Sequence, residues 1–219
     1  MCPPAKGRAR RGRPANPETR AKLIAAAHRL VLAQGFANTT VEQVCEAAGL
    51  TKGAFFHYFP NKTALGLAAI QAWAEGAGAE LAARVRADEQ DPVARLFAHL
   101  DVMAALALNP DMPPGCVVGT IAQESAAGPR QLSAASAAVF ERQAQAFAAL
   151  IKAAKEAVAP AAEFDPAALG RHFVVVLQGA FVLAKASGER SIVADQIALY
   201  VAHLASLLGL AKIPRTPSP

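Results

Sequence analysis

Hydrophobic positions recur every three to four residues along most of this chain, which is the spacing of an amphipathic helix. The first such segment starts after Asn16-Pro17, where an N-cap residue precedes a proline at the first helical position, and it stops at Gly35. Its apolar stripe consists of Leu23, Ala26, Ala27, Leu30 and Val31. The pattern therefore predicts a helix of about 18 residues at this end of the chain.

Two short helices joined by a tight turn are predicted next. Thr40 and Gln43 have the spacing of a capping box, and Gly49 ends the helix that they start. Thr51 caps the second helix, which Pro60 terminates. Four apolar residues define the buried side of the first helix and two aromatic residues that of the second: Val41, Val44, Cys45 and Ala48, then Phe55 and Phe59.

Six further helices follow from the same periodicity, with Pro- and Gly-containing breaks at 109–115 and 128–129. They are predicted at about 61–88, 92–108, 116–126, 130–158, 166–187 and 191–208. Nothing in the chain alternates with the period of two expected of a half-buried strand. The predicted fold class is all-α, with about nine helices.

Composition narrows the class of protein. A hydrophobic content of 53% is enough for a substantial core, and no run of about 18 apolar residues predicts a membrane span. The three cysteines are widely spaced, so they indicate neither a disulfide framework nor a metal site. We therefore expect a cytoplasmic protein without a metal or cofactor.

Positive charge is concentrated at the N-terminal end. Residues 1–60 hold nine Lys/Arg and three Asp/Glu, whereas residues 61–219 hold thirteen and fourteen. A basic segment beside a nearly neutral body is typical of a polyanion-binding surface, although a basic tail kept for solubility has the same signature. Residues 1–15, rich in Pro, Gly, Ala and Arg, are predicted to be a disordered basic arm.

A family resemblance is carried by the segment 40–63, TVEQVCEAAGLTKGAFFHYFPNKT. Thr-Thr-Val, Ala-Ala-Gly-Leu, Thr-Lys-Gly, His-Tyr-Phe and Pro-Asn-Lys occur there in order and spacing similar to the TetR family of transcriptional regulators. The resemblance spans about residues 17–66. It implies a helix-turn-helix DNA-binding domain over 16–60 and a ligand-sensing and dimerisation domain over 61–212. Helix 61–88 links the two, and 213–219 form a tail.

The resemblance, together with the chemistry of helix ends, assigns DNA contacts. Free N–H groups at a helix N-terminus favour phosphate, and short side chains let a helix approach the groove floor. Phe56 stands where the family commonly has Tyr, so one phosphate hydrogen bond is expected to be missing. The arm is expected to enter the minor groove. The predicted contacts are Arg10, Arg11, Arg13, Thr40, Thr51, Lys52, Gly53, Ala54, Phe56, His57, Tyr58 and Lys62.

A sensor site is predicted around Cys116. A thiol in the first turn of a helix meets unpaired N–H groups, which stabilise a thiolate. The segment around Cys116, together with Lys185, resembles the electrophile- and redox-sensing branch of the family, whose close relatives respond to small unsaturated carboxylates. Two alternatives stay open: Cys116 is packing only, or a reversible ligand occupies an aromatic pocket. The pocket candidates are Trp73, Phe97, Met103, Phe140, Phe147 and Phe181.

The function favoured by these features is a DNA-binding repressor acting as a homodimer on a palindromic operator. The helices at about 166–187 and 191–208 are the expected dimer interface, through the stripes Phe173, Val176, Leu177, Ala180, Ala184 and Ile197, Val201, Leu204, Leu208. The expected partners are operator DNA, a second copy and a small-molecule or electrophile inducer, with no membrane. Catalytic fingerprints are absent, so we expect no enzyme. The alternative is a helical protein that binds nucleic acid non-specifically through its arm.

Overall fold

A computed structural model describes residues 16–85, 89–110, 115–125 and 128–213. These residues form nine α-helices and no strand, which confirms the predicted all-α class and helix count. In chain order the helices are α1 (Pro17–Gln34), α2 (Val41–Ala48), α3 (Lys52–Tyr58), α4 (Lys62–Arg84), α5 (Pro92–Leu108), α6 (Val117–Glu124), α7 (Arg130–Val158), α8 (Pro166–Ser187) and α9 (Ser191–Leu207). The predicted arm over 1–15 lies outside the described residues.

Several helices begin where a short polar side chain satisfies a free backbone donor. The side-chain oxygen of Asn16 accepts from the Glu18 N–H, and those of Asp91 and Asp165 do the same at the starts of α5 and α8, each at 2.9 Å. A proline occupies the first turn of each of these three helices, where its missing N–H costs nothing. Two predicted boundaries were too generous: α4 ends at Arg84, and α6 spans only Val117–Glu124.

The core is divided into three clusters of buried side chains. One holds α1, α2 and α3 together and includes Leu23, Val44, Phe55 and Phe59. A second joins α1, α4, α6 and α7 through residues such as Val31, Ile70, Ile121 and Leu132. The third, formed by α5, α7, α8 and α9, includes Phe97, Phe147, Phe173 and Ile197. The middle cluster thus links the N-terminal helices to the C-terminal bundle.

The stripes of α8 and α9 that sequence periodicity assigned to a dimer interface face inward instead. Phe173, Leu177 and Ala180 are buried in the third cluster, as are Ile197 and Leu204. Periodicity identifies an apolar face but not what covers it, and here the covering helices belong to the same subunit. A different apolar set on these two helices remains exposed: Val175, Val182, Leu183 and Leu199.

Helix α8 has both an apolar composition and an unusually close neighbour. By length and hydropathy it is the one helix among the described residues that could cross a membrane, a property that core helices of soluble domains share. At Gly170 a Cβ would overlap the carbonyl oxygen of Ala144 and lie 2.8 Å from the nitrogen of Ala148. Gly170 therefore allows the backbones of α7 and α8 to approach more closely than any other residue would.

Candidate DNA-binding and ligand-sensing sites

Helices α2 and α3 are held by caps at their N-termini. Thr40 and Gln43 form the predicted capping box, with the Thr40 hydroxyl accepting from the Gln43 N–H at 3.2 Å and the Gln43 side chain accepting in return at 2.9 Å. The Thr51 hydroxyl accepts from the Ala54 N–H at 3.1 Å. Buried Phe55 then fixes α3 against the first cluster. Both threonines are thus engaged in capping. The Thr40 hydroxyl also donates to the Glu42 carboxylate, whereas the Thr51 hydroxyl can donate its proton to an external acceptor such as phosphate.

The outer face of α3 is open to solvent. Phe56 is 55% exposed, and His57 and Lys52 are exposed as well. A Cβ at Gly53 would meet only the Thr51 hydroxyl, at 3.8 Å, so nothing inside the chain requires glycine there. Phe56 is the exposed large aromatic side chain of this helix. An exposed second helix of a helix-turn-helix pair is the element that enters a DNA groove in proteins of that kind.

Lys52 is paired within the domain. Its ammonium forms an ion pair with the carboxylate of Glu42 on α2, and both side chains are more than half exposed. The hydrogen bond from Lys52 lowers the pKa of Glu42 below its usual range. Local sequence patterns do not predict this pair, because the two residues lie on separate helices ten positions apart. A phosphate or base that binds Lys52 has to compete with Glu42.

Tyr58 is tied to the start of α1. Its hydroxyl accepts a hydrogen bond from the backbone N–H of Asn16 at 2.7 Å. The ring also lies edge-on to His57, with centroids 5.0 Å apart. Asn16 is the N-cap of α1, so this contact connects the end of α3 to the start of α1.

Lys62, which we expected to clamp phosphate, is directed elsewhere. Its ammonium donates to the carbonyl of Ala37 at 2.9 Å and lies 4.6 Å from the centroid of the Phe36 ring. Burial lowers the pKa of Lys62, and the nearby Glu124 carboxylate opposes that shift. We call Gly35, Phe36 and Ala37 the 35–37 turn. The Lys62 ammonium, predicted to bind DNA phosphate, binds this turn instead.

The sensor residues Cys116 and Lys185 line one cleft. It lies between α6 and α8 and has a volume of about 300 Å³. The residues facing it are spaced three to four apart on both helices, which is why one side of each helix contributes: Cys116, Gly119, Thr120, Gln123 and Glu124 from α6 and its cap, and Gln178, Phe181, Val182, Lys185 and Ala186 from α8, with Gly115 at the edge. Of these residues, the sequence predicts Cys116, Lys185 and Phe181 as sensor or pocket residues, and it does not predict the polar side chains.

Cys116 is the N-cap of α6, and its sulfur accepts from the Gly119 N–H at 3.4 Å. The side chains of Gln178 and Trp73 also hydrogen-bond the sulfur. These donors lower the thiol pKa, but burial raises it by more, so the net shift is upward. The expectation of a stabilised thiolate was therefore wrong in direction, because a helix N-terminus competes here with desolvation.

Most of the predicted aromatic pocket is core. Phe97 and Phe147 are almost fully buried in the third cluster, and Met103 packs against it. Phe140 and Trp73 pack against the second cluster, where Trp73 lies edge-on to His28 with ring centroids 5.3 Å apart. Phe181 is the one predicted pocket aromatic that lines the cleft.

Comparison with known proteins agrees with both halves of this architecture. Residues 23–69 match the model for bacterial regulatory proteins of the tetR family, and residues 92–199 match the tetracyclin repressor-like C-terminal domain. The transcriptional regulator AcuR of Cereibacter sphaeroides is 31% identical over 182 residues, which is 83% of either chain. This chain belongs to the TetR family. It is a transcriptional regulator of the DNA-binding repressor type.

Solved structures of TetR-family regulators superpose on most of the chain. The regulatory protein TetR from Rhodobacter sphaeroides has a TM-score of 0.74 with 27% identity, covering 86% of this chain and 98% of its own. The reduced form of E. coli NemR has a TM-score of 0.72 and covers 91% and 100%, and its 18% identity supports the fold alone. Regulators of this family bind operator DNA and act as dimers with small-molecule ligands. The matched relatives are regulators rather than enzymes.

Metal binding has no visible site in the described TetR-family fold. Across residues 16–85, 89–110, 115–125 and 128–213, no three His, Cys, Asp or Glu side chains are grouped closely enough to hold an ion. Of the predicted DNA contacts, Arg10, Arg11 and Arg13 fall outside these residues.

Proposed function

We propose that this regulator is a cytoplasmic homodimer that represses transcription from a palindromic operator, and that a ligand or electrophile entering the α6–α8 cleft releases it. The observation that carries the sensing half is that Cys116 and Lys185, far apart in sequence, line the same cleft. The exposed outer face of α3 supports the DNA-binding half.

Operator recognition by α3 predicts a sequence preference that the arm alone lacks. An arm of arginines binds any duplex through its phosphates, whereas side chains in the major groove distinguish bases. The test is selection of a binding site from a random DNA pool, followed by competition with excess random duplex. Survival of a specific complex, and its loss in Lys52→Ala, supports the proposal. Equal competition by random DNA favours the arm-only alternative.

The dimer rests on the exposed apolar residues of α8 and α9. Val175 and Leu199 are each 64% exposed, and Val182 and Leu183 are about half exposed. Exposed aliphatic side chains on these two helices are removed from water when the helices meet a second copy around a two-fold axis, which favours association. One recognition helix contacts too few base pairs to define a genomic site, so a dimer also explains how specificity is reached.

Two classes of inducer fit the cleft. An electrophile has Cys116 as its nucleophile, and the raised thiol pKa restricts the reaction to strong electrophiles at neutral pH. A small carboxylate has Lys185 as its charge partner, with the hydroxyl of Thr120 and the amides of Gln123 and Gln178 as hydrogen-bond groups. Both classes use the same cleft, and they differ in whether Cys116 is needed.

The two classes separate in one experiment with the selected operator. N-ethylmaleimide is expected to release DNA from the wild type but not from Cys116→Ser, with intact mass reporting the site of addition. A panel of small carboxylates is expected to release DNA from both the wild type and Cys116→Ser, but not from Lys185→Met. If neither treatment changes operator affinity in the wild type, the cleft is not the sensor.

A further inference from the structure

The carboxylate of Glu124 connects the cleft to the DNA-binding domain. Glu124 is the last residue of α6 and lines the cleft that begins at Cys116. Its Oε2 accepts a hydrogen bond from the Ala37 N–H at 2.7 Å, across 87 positions of sequence. Its Oε1 lies directly over Gly35, where a Cβ would overlap it. Helix α6 therefore has the cleft at one side and the 35–37 turn at its end.

The same turn is held from its other side by α4. Lys62 donates to the carbonyl of Ala37, the residue whose N–H Glu124 binds. The Lys62 ammonium also lies over the Phe36 ring. The Glu124 carboxylate from α6 and the Lys62 ammonium from α4 thus bind the N–H and the carbonyl of the same residue, and their opposite charges attract each other.

The 35–37 turn and α2 form one hydrogen-bonded unit. The Thr39 hydroxyl donates to the Gly35 carbonyl at 2.7 Å, and Thr39 is buried. The Gln34 side chain donates to that of Gln43 at 3.0 Å, and Gln43 is part of the capping box at the start of α2. A displacement of the turn consequently carries α2, and with it α3, which shares the first hydrophobic cluster.

We propose that Glu124 and Lys62 are coupling residues, which hold the 35–37 turn between α6 and α4 and transmit movement of α6 at the cleft to α2 and α3. This inference rests on the proposed sensing role of the cleft. Occupation of the cleft shifts α6, the Glu124–Ala37 bond breaks, and α3 leaves the orientation that fits the operator. Coupling between two sites in proteins is typically 5- to 150-fold in affinity, which a few such contacts can supply.

The test uses full-length protein in which Cys2 and Cys45 are replaced by Ala, so that N-ethylmaleimide reaches only Cys116. Operator affinity is measured before and after alkylation. The release ratio is the dissociation constant after alkylation divided by the dissociation constant before it. We expect Glu124→Ala to weaken unmodified binding about five- to tenfold and to bring the release ratio close to one. Hydrogen exchange of the Ala37 amide is expected to accelerate in the same variant.

Matched variants separate coupling from general damage. Glu141→Ala removes an exposed carboxylate on α7 that accepts a hydrogen bond from Gln145 in its own helix, and it is expected to change neither quantity. Lys62→Met is expected to resemble Glu124→Ala, with a double variant no worse than either single one. If Lys62 instead binds phosphate, its loss lowers the salt slope of binding by about one, whereas the coupling role leaves the slope unchanged.

The outcomes distinguish this inference from the proposed sensor. Unchanged unmodified affinity and unchanged release ratio in Glu124→Ala, with the fold intact by thermal unfolding, overturn the coupling role. A release ratio of one in the parent protein overturns the sensing role of Cys116. In that case the unmodified affinity and the Ala37 exchange rate of Glu124→Ala still decide whether Glu124 holds the turn.

Discussion

The Tyr58 hydroxyl accepts a hydrogen bond from the Asn16 backbone N–H, joining the end of α3 to the N-cap of α1. Tyr58 is a predicted DNA contact, and from this bond we predict a second role for it, which is to orient the arm that precedes Asn16. The two roles have different consequences when the arm is removed.

We expect Tyr58→Phe to weaken operator binding about three- to tenfold in the full chain and to have no effect once residues 2–14 are deleted. A hydroxyl that acts through the arm has nothing to position after the deletion, whereas a direct phosphate contact persists. The measurement is a double-mutant cycle of operator affinity at fixed salt. Equal losses in both backgrounds would assign Tyr58 to the DNA itself.

Glu42→Gln is expected to strengthen operator binding about two- to fivefold, because Glu42 holds the Lys52 ammonium that phosphate or base competes for. Any acid removed near DNA also lessens repulsion, so Glu46→Gln, on the same helix, serves as the control for charge alone. Fluorescence anisotropy titrations with the selected operator measure both. A gain no larger than that of Glu46→Gln would mean that the ion pair does not compete with DNA.

The alkylation rate of Cys116 is expected to rise about tenfold per pH unit from pH 7 and to keep rising at pH 9. Burial raises the thiol pKa above its ordinary value, so the thiolate fraction continues to grow where an ordinary thiol has levelled off. Intact mass after timed exposure to N-ethylmaleimide gives the rate, with free glutathione as the reference. A plateau below pH 8 would show that the helix N-terminus outweighs burial.

Sequence patterns were sufficient to predict the helices, but they did not predict which distant groups a side chain contacts. Helix starts at Asn16, Thr40 and Thr51 could be predicted because an N-cap residue and its helix are neighbours in the chain. The Lys62 ammonium binds the carbonyl of Ala37, 25 positions away in the chain. The pKa of the Cys116 thiol is raised by burial, which depends on how α6 packs. Such relationships are set by tertiary packing, which local periodicity does not contain.

Val175→Asp is expected to convert the dimer into a monomer of 22.7 kDa. Val175 is 64% exposed on the outer side of α8, away from the internal stripe, so a carboxylate there costs the subunit little but is unfavourable when buried against a copy. Sedimentation analysis measures the mass. Val158→Asp, at the exposed end of α7, is the control and is expected to stay dimeric. If both variants remain dimeric, the interface lies elsewhere.

Gly170→Ala is expected to lower the free energy of unfolding by about 1–3 kcal/mol, the usual cost of overpacking. The atoms that a new Cβ meets are the Ala144 carbonyl oxygen and the Ala148 nitrogen, and backbone atoms cannot swing aside as a flexible side chain can. Gly76→Ala on α4 is the matched control, because its Cβ meets nothing within 4 Å. That variant is expected to gain about 0.5–1 kcal/mol from the lower entropy of its unfolded chain. Urea unfolding of both proteins at equal concentration measures the difference, and shifts of the same sign would refute the close α7–α8 approach.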